Sequence, residues 1–180
     1  KAAKMSNSQI DAALEKSLTF MKFRTGVIYE PYTLALYGLA AHDAGLTEES
    51  APAVRILREN AIREADGVYW NLETNTPFYG WGTPGRVETT AVVIQFLQKT
   101  NNEQTSANGD LIAKAMMFLL RNKDRYGVWY STQTTVNVLE AFLGSLGKTG
   151  VRQVKLRFDG RELPPVDIAA GRIEPVRIEL

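Results

Sequence analysis

The sequence predicts an all-α fold, an array of helical hairpins followed by a short β segment, and three observations carry that prediction. Six stretches place apolar residues at helical spacing between turn residues. Alternate members of the six differ in polarity. A loop rich in aromatic residues and glycine twice runs into a helix, through GVYW…GRVETTAVVIQFL and GVWYSTQTTVNVLEAFL.

The first helix is expected from about Ser8 to Lys22, with Ile10, Leu14, Leu18 and Met21 on one stripe. The second, Pro31 to Asp43, opens on a proline suited to the first helical position and ends before Gly45. The third is expected over Ala51 to Glu64, where Val54, Leu57, Ala61 and Ile62 oppose Arg55, Arg58, Glu59 and Arg63. Glu88 to Gln98, Asp110 to Asn122 and Thr132 to Leu146 complete the set, the last stopping before Gly147. The second, fourth and sixth are apolar nearly all the way round, whereas the others are amphipathic. A helix without a polar face belongs in the interior, so an inner and an outer layer are expected.

The inner helices recur every roughly 45 to 55 residues, a period that suits a helix pair plus a loop in a stacked or toroidal array. Three hairpins are about half of a closed six-hairpin α/α toroid, and a solenoid of three pairs is the rival arrangement. After Gly150 the pattern changes to alternation. Val151, Val154, Leu156 and Phe158 fall near a period of two, Asp159-Gly160 offers a hairpin turn, and RIEPVRIEL is a second strand candidate. The expected organisation is a helical domain over residues 1–149 and the start of a β segment of a neighbouring domain over 150–180. The first residue, Lys1, is not Met, and RIEL stops inside a strand pattern, so both ends read as cuts within a longer protein.

Composition narrows the function classes. With 44% hydrophobic and 23% charged residues the chain can build a core, and 21 basic against 20 acidic side chains give no nucleic-acid surface and no basic membrane face. No apolar run approaches the roughly 20 residues of a transmembrane helix. Cysteine is absent, which removes disulfides, Cys-ligated metals and a cysteine nucleophile from these residues. No cofactor is expected.

Candidate chemical groups have structural readings that fit better. The single histidine, His42, sits at the end of the second helix, where a histidine interacts favourably with the negative end of the dipole. The acidic pairs Glu48-Glu49 and Glu64 with Asp66 fall at turns rather than at the spacing of two carboxylates across a cleft. GWGTPG lacks the lysine of a phosphate loop and reads as a tight turn, and Ser131 has no nucleophile-elbow frame.

The junction residues Trp70, Glu88, Thr89, Thr90, Trp129, Ser131, Thr132 and Gln133 are therefore expected to act as architecture. Ser131 should cap the sixth helix by accepting from free amides, and Glu88 the fourth by complementing its dipole. Tyr69, Trp70, Tyr126, Trp129 and Tyr130 should cover helix ends while each offers one polar atom.

In order and spacing, GVYW, VETTAVVIQFL and FLLRNKDRYGVWYSTQTTVNVLEAF resemble the latter half of the thioester-containing domain of the α2-macroglobulin and complement C3 family, over roughly Ser8 to Leu146. The resemblance implies the last three hairpins of a six-hairpin α/α toroid, with the tail a returning part of a CUB-like β domain. It implies a fragment of a broad-spectrum protease trap, an endopeptidase inhibitor rather than an enzyme. In that family a Cys and a Gln in a C-x-E-Q motif form an internal thioester, an acylating group kept from water until cleavage elsewhere exposes it. That motif and its tuning residue precede the part represented here, so no catalytic or thioester residue is assigned and His42 does not inherit the tuning role. The implied partners are target proteases and neighbouring macroglobulin-type and CUB-like domains. The implied location is extracellular or periplasmic, including anchoring by a lipid upstream, and the lack of cysteine suits a bacterial relative with a defence role. Two other classes remain as alternatives: an enzyme on an α/α toroid, such as a terpene cyclase or prenyltransferase, and a helical-repeat interaction module.

Overall fold

The computed structural model describes residues 8–24, 29–65, 67–77, 80–100, 108–146, 152–154, 157–158, 161–162 and 166–168. The chain forms two compact units, Lys1–Ala141 and Phe142–Leu180, the second beginning within the last helix. The first unit runs α1 (Ser8–Lys22), α2 (Pro31–Asp43), α3 (Thr47–Glu59), β1 (Ile62–Glu64), β2 (Gly67–Tyr69), α4 (Gly82–Thr100), α5 (Gly109–Arg121) and then α6 (Thr132–Leu146). The inner helices α2, α4 and α6 begin 51 and 50 residues apart, a more regular repeat than the sequence pattern suggests.

Helix α2 starts with Pro31 at its first turn and stops by a complete glycine cap. Gly45 takes φ +82°, its amide donates to the His42 carbonyl, and the Leu46 amide reaches back to Ala41 at 2.9 Å. Such a pattern satisfies carbonyls the helix itself leaves open, and the left-handed φ is why glycine stands there. Helix α1 is anchored near its C-terminal end, where Leu18 is buried with Tyr37 and Ala41 and Met21 packs against them. The same stripe is open further along, at Ile10 and Leu14.

The third helix differs from the expectation of Ala51 to Glu64. It begins at Thr47, directly after the α2 cap, carries Pro52 inside, and ends at Glu59 with Asn60 as its C-cap. Ile62–Glu64 instead pairs antiparallel with Gly67–Tyr69, with Ile62 opposite Tyr69. The turn between them includes Ala65 at φ 51°. The helical stripe read through Ala61 and Ile62 loses to this pairing because β2 is buried along its whole length and brings Trp70 onto the end of α3.

Helix α4 begins six residues before the expected Glu88, so GTPG forms its first turn rather than a free loop. Gly82 adopts φ +58°, and Gly85 admits a close approach of the preceding loop: a Cβ there would lie 2.8 Å from the Gly80 carbonyl oxygen. Proline is compatible with a first turn, whose amides have no helical partner anyway.

The inner helices α2 and α4 run parallel. Their contacts advance together, from Tyr32–Glu88 through Gly38–Phe96 to Asp43–Lys99. At the middle contact the Phe96 ring occupies the space of the missing side chain, since a Cβ on Gly38 would lie 2.2 Å from it. Helix α6 continues the array through side chain to backbone bonds, Gln95 Nε2 donating to the Asn137 carbonyl at 2.8 Å and Gln98 Nε2 to that of Ala141 at 2.7 Å.

Burial follows the inner and outer layers for α2 and α4, and departs from them at α6. Val87 to Ile94, Phe96 and Leu97 of α4 are all buried. On α6 Thr134, Val138 and Ala141 are buried, but Val136, Leu139 and Leu143 on the opposite side are 43%, 49% and 63% exposed. Sequence polarity alone could not anticipate this, because it reports what a helix would bury rather than what stands beside it.

In the second unit, β3 (Arg152–Val154) pairs antiparallel with β6 (Val166–Ile168), and β4 (Arg157–Phe158) with β5 (Arg161–Glu162). Phe158 lies opposite Arg161, and the expected Asp159-Gly160 turn lies outside the described residues. RIEPVRIEL, Val151, Leu156 and Asp66 lie outside the described residues.

Candidate functional site

Both aromatic junctions are built on the same device. At the first, the Trp70 indole N–H donates to the Leu57 carbonyl of α3 at 2.7 Å, and the Trp70 amide donates to Thr90 Oγ1 of α4 at 3.3 Å. At the second, the Trp129 indole donates to the Leu119 carbonyl of α5 at 2.7 Å, and its amide to Thr135 Oγ1 of α6 at 3.0 Å. Each tryptophan thus ties the last turn of an outer helix to the following inner one, at its third turn in α4 and its first turn in α6. A buried indole needs an acceptor, and carbonyls in the last turn of a helix are open to a further donor; the Leu119 carbonyl also accepts the Asn122 amide at 3.1 Å. Both indoles are buried.

Thr90 and Thr135 being equivalent, Glu88 corresponds to Gln133 and Thr89 to Thr134. The two junctions then differ in what separates the tryptophan from its threonine: Trp129 is six residues from Thr135, but Trp70 is 20 from Thr90. The extra chain includes Thr76 and Gly80, and Glu88 holds it through Thr76.

Glu88 is 1% exposed in the second turn of α4. Its Oε2 accepts from Thr76 Oγ1 at 2.7 Å, and its Oε1 lies 3.5 Å from the Tyr32 hydroxyl of α2, which donates to it. Thr76 in turn accepts the Gly80 amide at 2.9 Å and donates its own amide to the Gly80 carbonyl at 3.0 Å. A Cβ at Gly80 would lie 2.6 Å from Thr76 Oγ1, so this ring of bonds requires glycine. Burial first, then the charge and the hydrogen bond of Glu88, push the Tyr32 phenol up to about 12 from its ordinary 10.0. Tyr32 is therefore a neutral donor at any physiological pH. Nearby, Glu30 Oε2 takes the Glu73 amide at 2.8 Å and pins the start of the same loop.

The expectation that Glu88 caps its helix is corrected by this geometry. With α4 starting at Gly82, Glu88 lies within the helix and serves as the buried acceptor of two hydroxyls. Thr89 is fully buried, and its Oγ1 has no hydrogen-bond partner among the described residues.

At the second junction Ser131 stands before α6 and its Oγ accepts the Thr134 amide at 3.1 Å, the bond an N-cap makes. Thr132 is exposed at the first position of α6, and Gln133 donates to Asn137 Oδ1 at 3.3 Å along the same helix. The turn before it is organised by Asp124, whose Oδ1 accepts the amides of Tyr126 and Val128, while Gly127 takes φ +84°.

Of the five aromatic residues expected to cover helix ends, three do so. Trp70 and Trp129 are buried as described, and Tyr69 stacks on Phe118 of α5 with ring centroids 4.9 Å apart. Tyr126 and Tyr130 instead lie in solvent, as does Trp81 immediately before α4. Their covering role is corrected on that ground. His42 lies at the end of α2 with Nδ1 3.9 Å from Asp43, and Glu48 and Glu64 are exposed. Tyr32, Thr76 and Thr135 were missed by sequence reasoning. Thr135 had a signal, the E-T-T and Q-T-T alignment of the two junctions; Tyr32 and Thr76 had none, since their partner is 56 and 12 residues away.

Chemically, the arrangement orients helices and a loop. The groups gathered at the junctions are hydrogen-bond donors and acceptors directed at one another, with Glu88 enclosed by its two hydroxyl partners.

A comparison with curated proteins gave no match. A family model described as the A-macroglobulin TED domain matches residues 1–144, a span that takes in both junctions and most of the chain. With that match, six helices among the described residues and the same Trp-to-threonine device at successive hairpins, this chain belongs to the A-macroglobulin TED domain family.

Proposed function

We propose that the chain is a scaffold portion of an α2-macroglobulin-like protease trap, forming part of the wall that shields a thioester supplied by the preceding part of the domain. The observation that supports this reading is the use of the junction polar groups. Trp70, Thr90, Glu88 and Thr76 at one junction, and Trp129, Thr135 and Ser131 at the other, are engaged in holding helix ends together. Such a wall excludes water from a reactive acyl group, and rigid helix ends preserve it until it is needed.

In this reading the chain inhibits endopeptidases as part of its parent and performs no catalysis itself. Target proteases and neighbouring macroglobulin-type and CUB-like domains are its partners, and the parent works outside the cell or in the periplasm, in a bacterial defence role. The thioester domain spans residues 1–149, and 150–180 begin the CUB-like segment.

The test is made on the full-length parent. Its gene should encode C-x-E-Q upstream of residue 1, and the protein, after incubation with trypsin, should suppress cleavage of a large protein substrate while a small peptide substrate is still cut. Suppression of neither, with C-x-E-Q present, would refute the trap. A second reading, a helical interaction module, draws on the exposed Val136, Leu139 and Leu143 of α6. It predicts partner binding that is abolished by changes on that face with trapping left intact.

A further inference from the structure

We draw no further inference here: the strongest candidate, the apolar stripe of Val136, Leu139 and Leu143 on the open side of α6, carries none because nothing in the structure shows what covers it.

Discussion

The first junction encloses its polar groups, whereas the second leaves most of them at the surface. Glu88 and Thr76 are buried around Trp70, and the residue equivalent to Glu88 on α6, Gln133, is half-buried and donates to Asn137 along its own helix. The tryptophan device is common to both; the difference is the loop between Trp70 and α4. A short connection needs only a serine cap and an Asp-centred turn, but a long one folded back over helix ends buries backbone amides and carbonyls that must be paired. An enclosed carboxylate is an effective acceptor for that purpose, because hydrogen bonds to a charged group are stronger than neutral ones.

The largest effect expected is at the shared element. Trp70→Ala should lower unfolding free energy by about 3–5 kcal/mol, since it removes a fully buried indole and leaves the Leu57 carbonyl unpaired. Trp129→Ala should cost less, because its junction has fewer buried neighbours. Urea unfolding followed by circular dichroism measures both, and a larger loss at Trp129 would contradict the ranking of the two junctions.

Next comes the pair that distinguishes them. Glu88→Ala strands the Tyr32 and Thr76 hydroxyls and should destabilise by about 2–4 kcal/mol, roughly 1.5–3 for the short bond from Thr76 and roughly 0.5–1 for the long one from Tyr32. Glu88→Gln should lose part of that. Gln133→Ala should stay within about 0.5 kcal/mol, as expected for a half-exposed neutral pair along one helix. Equal losses at Glu88 and Gln133 would show that enclosure contributes nothing.

Ser131→Ala tests the device found only at the second junction. Loss of the bond to the Thr134 amide should cost about 1 kcal/mol, seen as a fall in melting temperature, and Ser131→Asp should restore it. Hydrogen exchange should localise the change to the first turn of α6. An unchanged exchange rate at the Thr134 amide would mean that the cap is not formed in solution.

A pH slope peculiar to the first junction appears only in the alkaline range. Below pH 10 Tyr32 holds its proton folded and unfolded, and contributes no slope. Between pH 10 and about 12 the unfolded phenol ionises while the folded one stays protonated, so stability falls as pH rises. Tyr32→Phe should flatten that part of the stability profile once the slopes common to both proteins are subtracted. Identical slopes in the two proteins would remove the Tyr32–Glu88 contact from the account.

Much of the helical plan was legible from local chemistry. The ends of α2 are marked by Pro31 and Gly45, α6 begins after Ser131, and α1 has its apolar period. The misreadings occur where a distant partner overrides a local preference. Ile62 to Glu64 carry a helical stripe, yet they pair with β2 as a strand; Gly82 to Gly85 resemble a free loop, yet they open α4, with Gly85 set close against Gly80 and Leu72.

Residue order by itself determined the repeat, the alternation of inner and outer helices, and the two aromatic junctions, because periodicity, caps and turn residues act within a few residues of one another. Only tertiary structure decided that Glu88 is an enclosed acceptor rather than a cap, that Trp70 and Trp129 serve the same purpose, and that α6 keeps an apolar side open. Those outcomes rest on contacts between residues 10 to 56 positions apart, and on which surfaces have a neighbour at all. No local pattern encodes that distance, since burial is a property of the assembled layers and not of the helix that enters them.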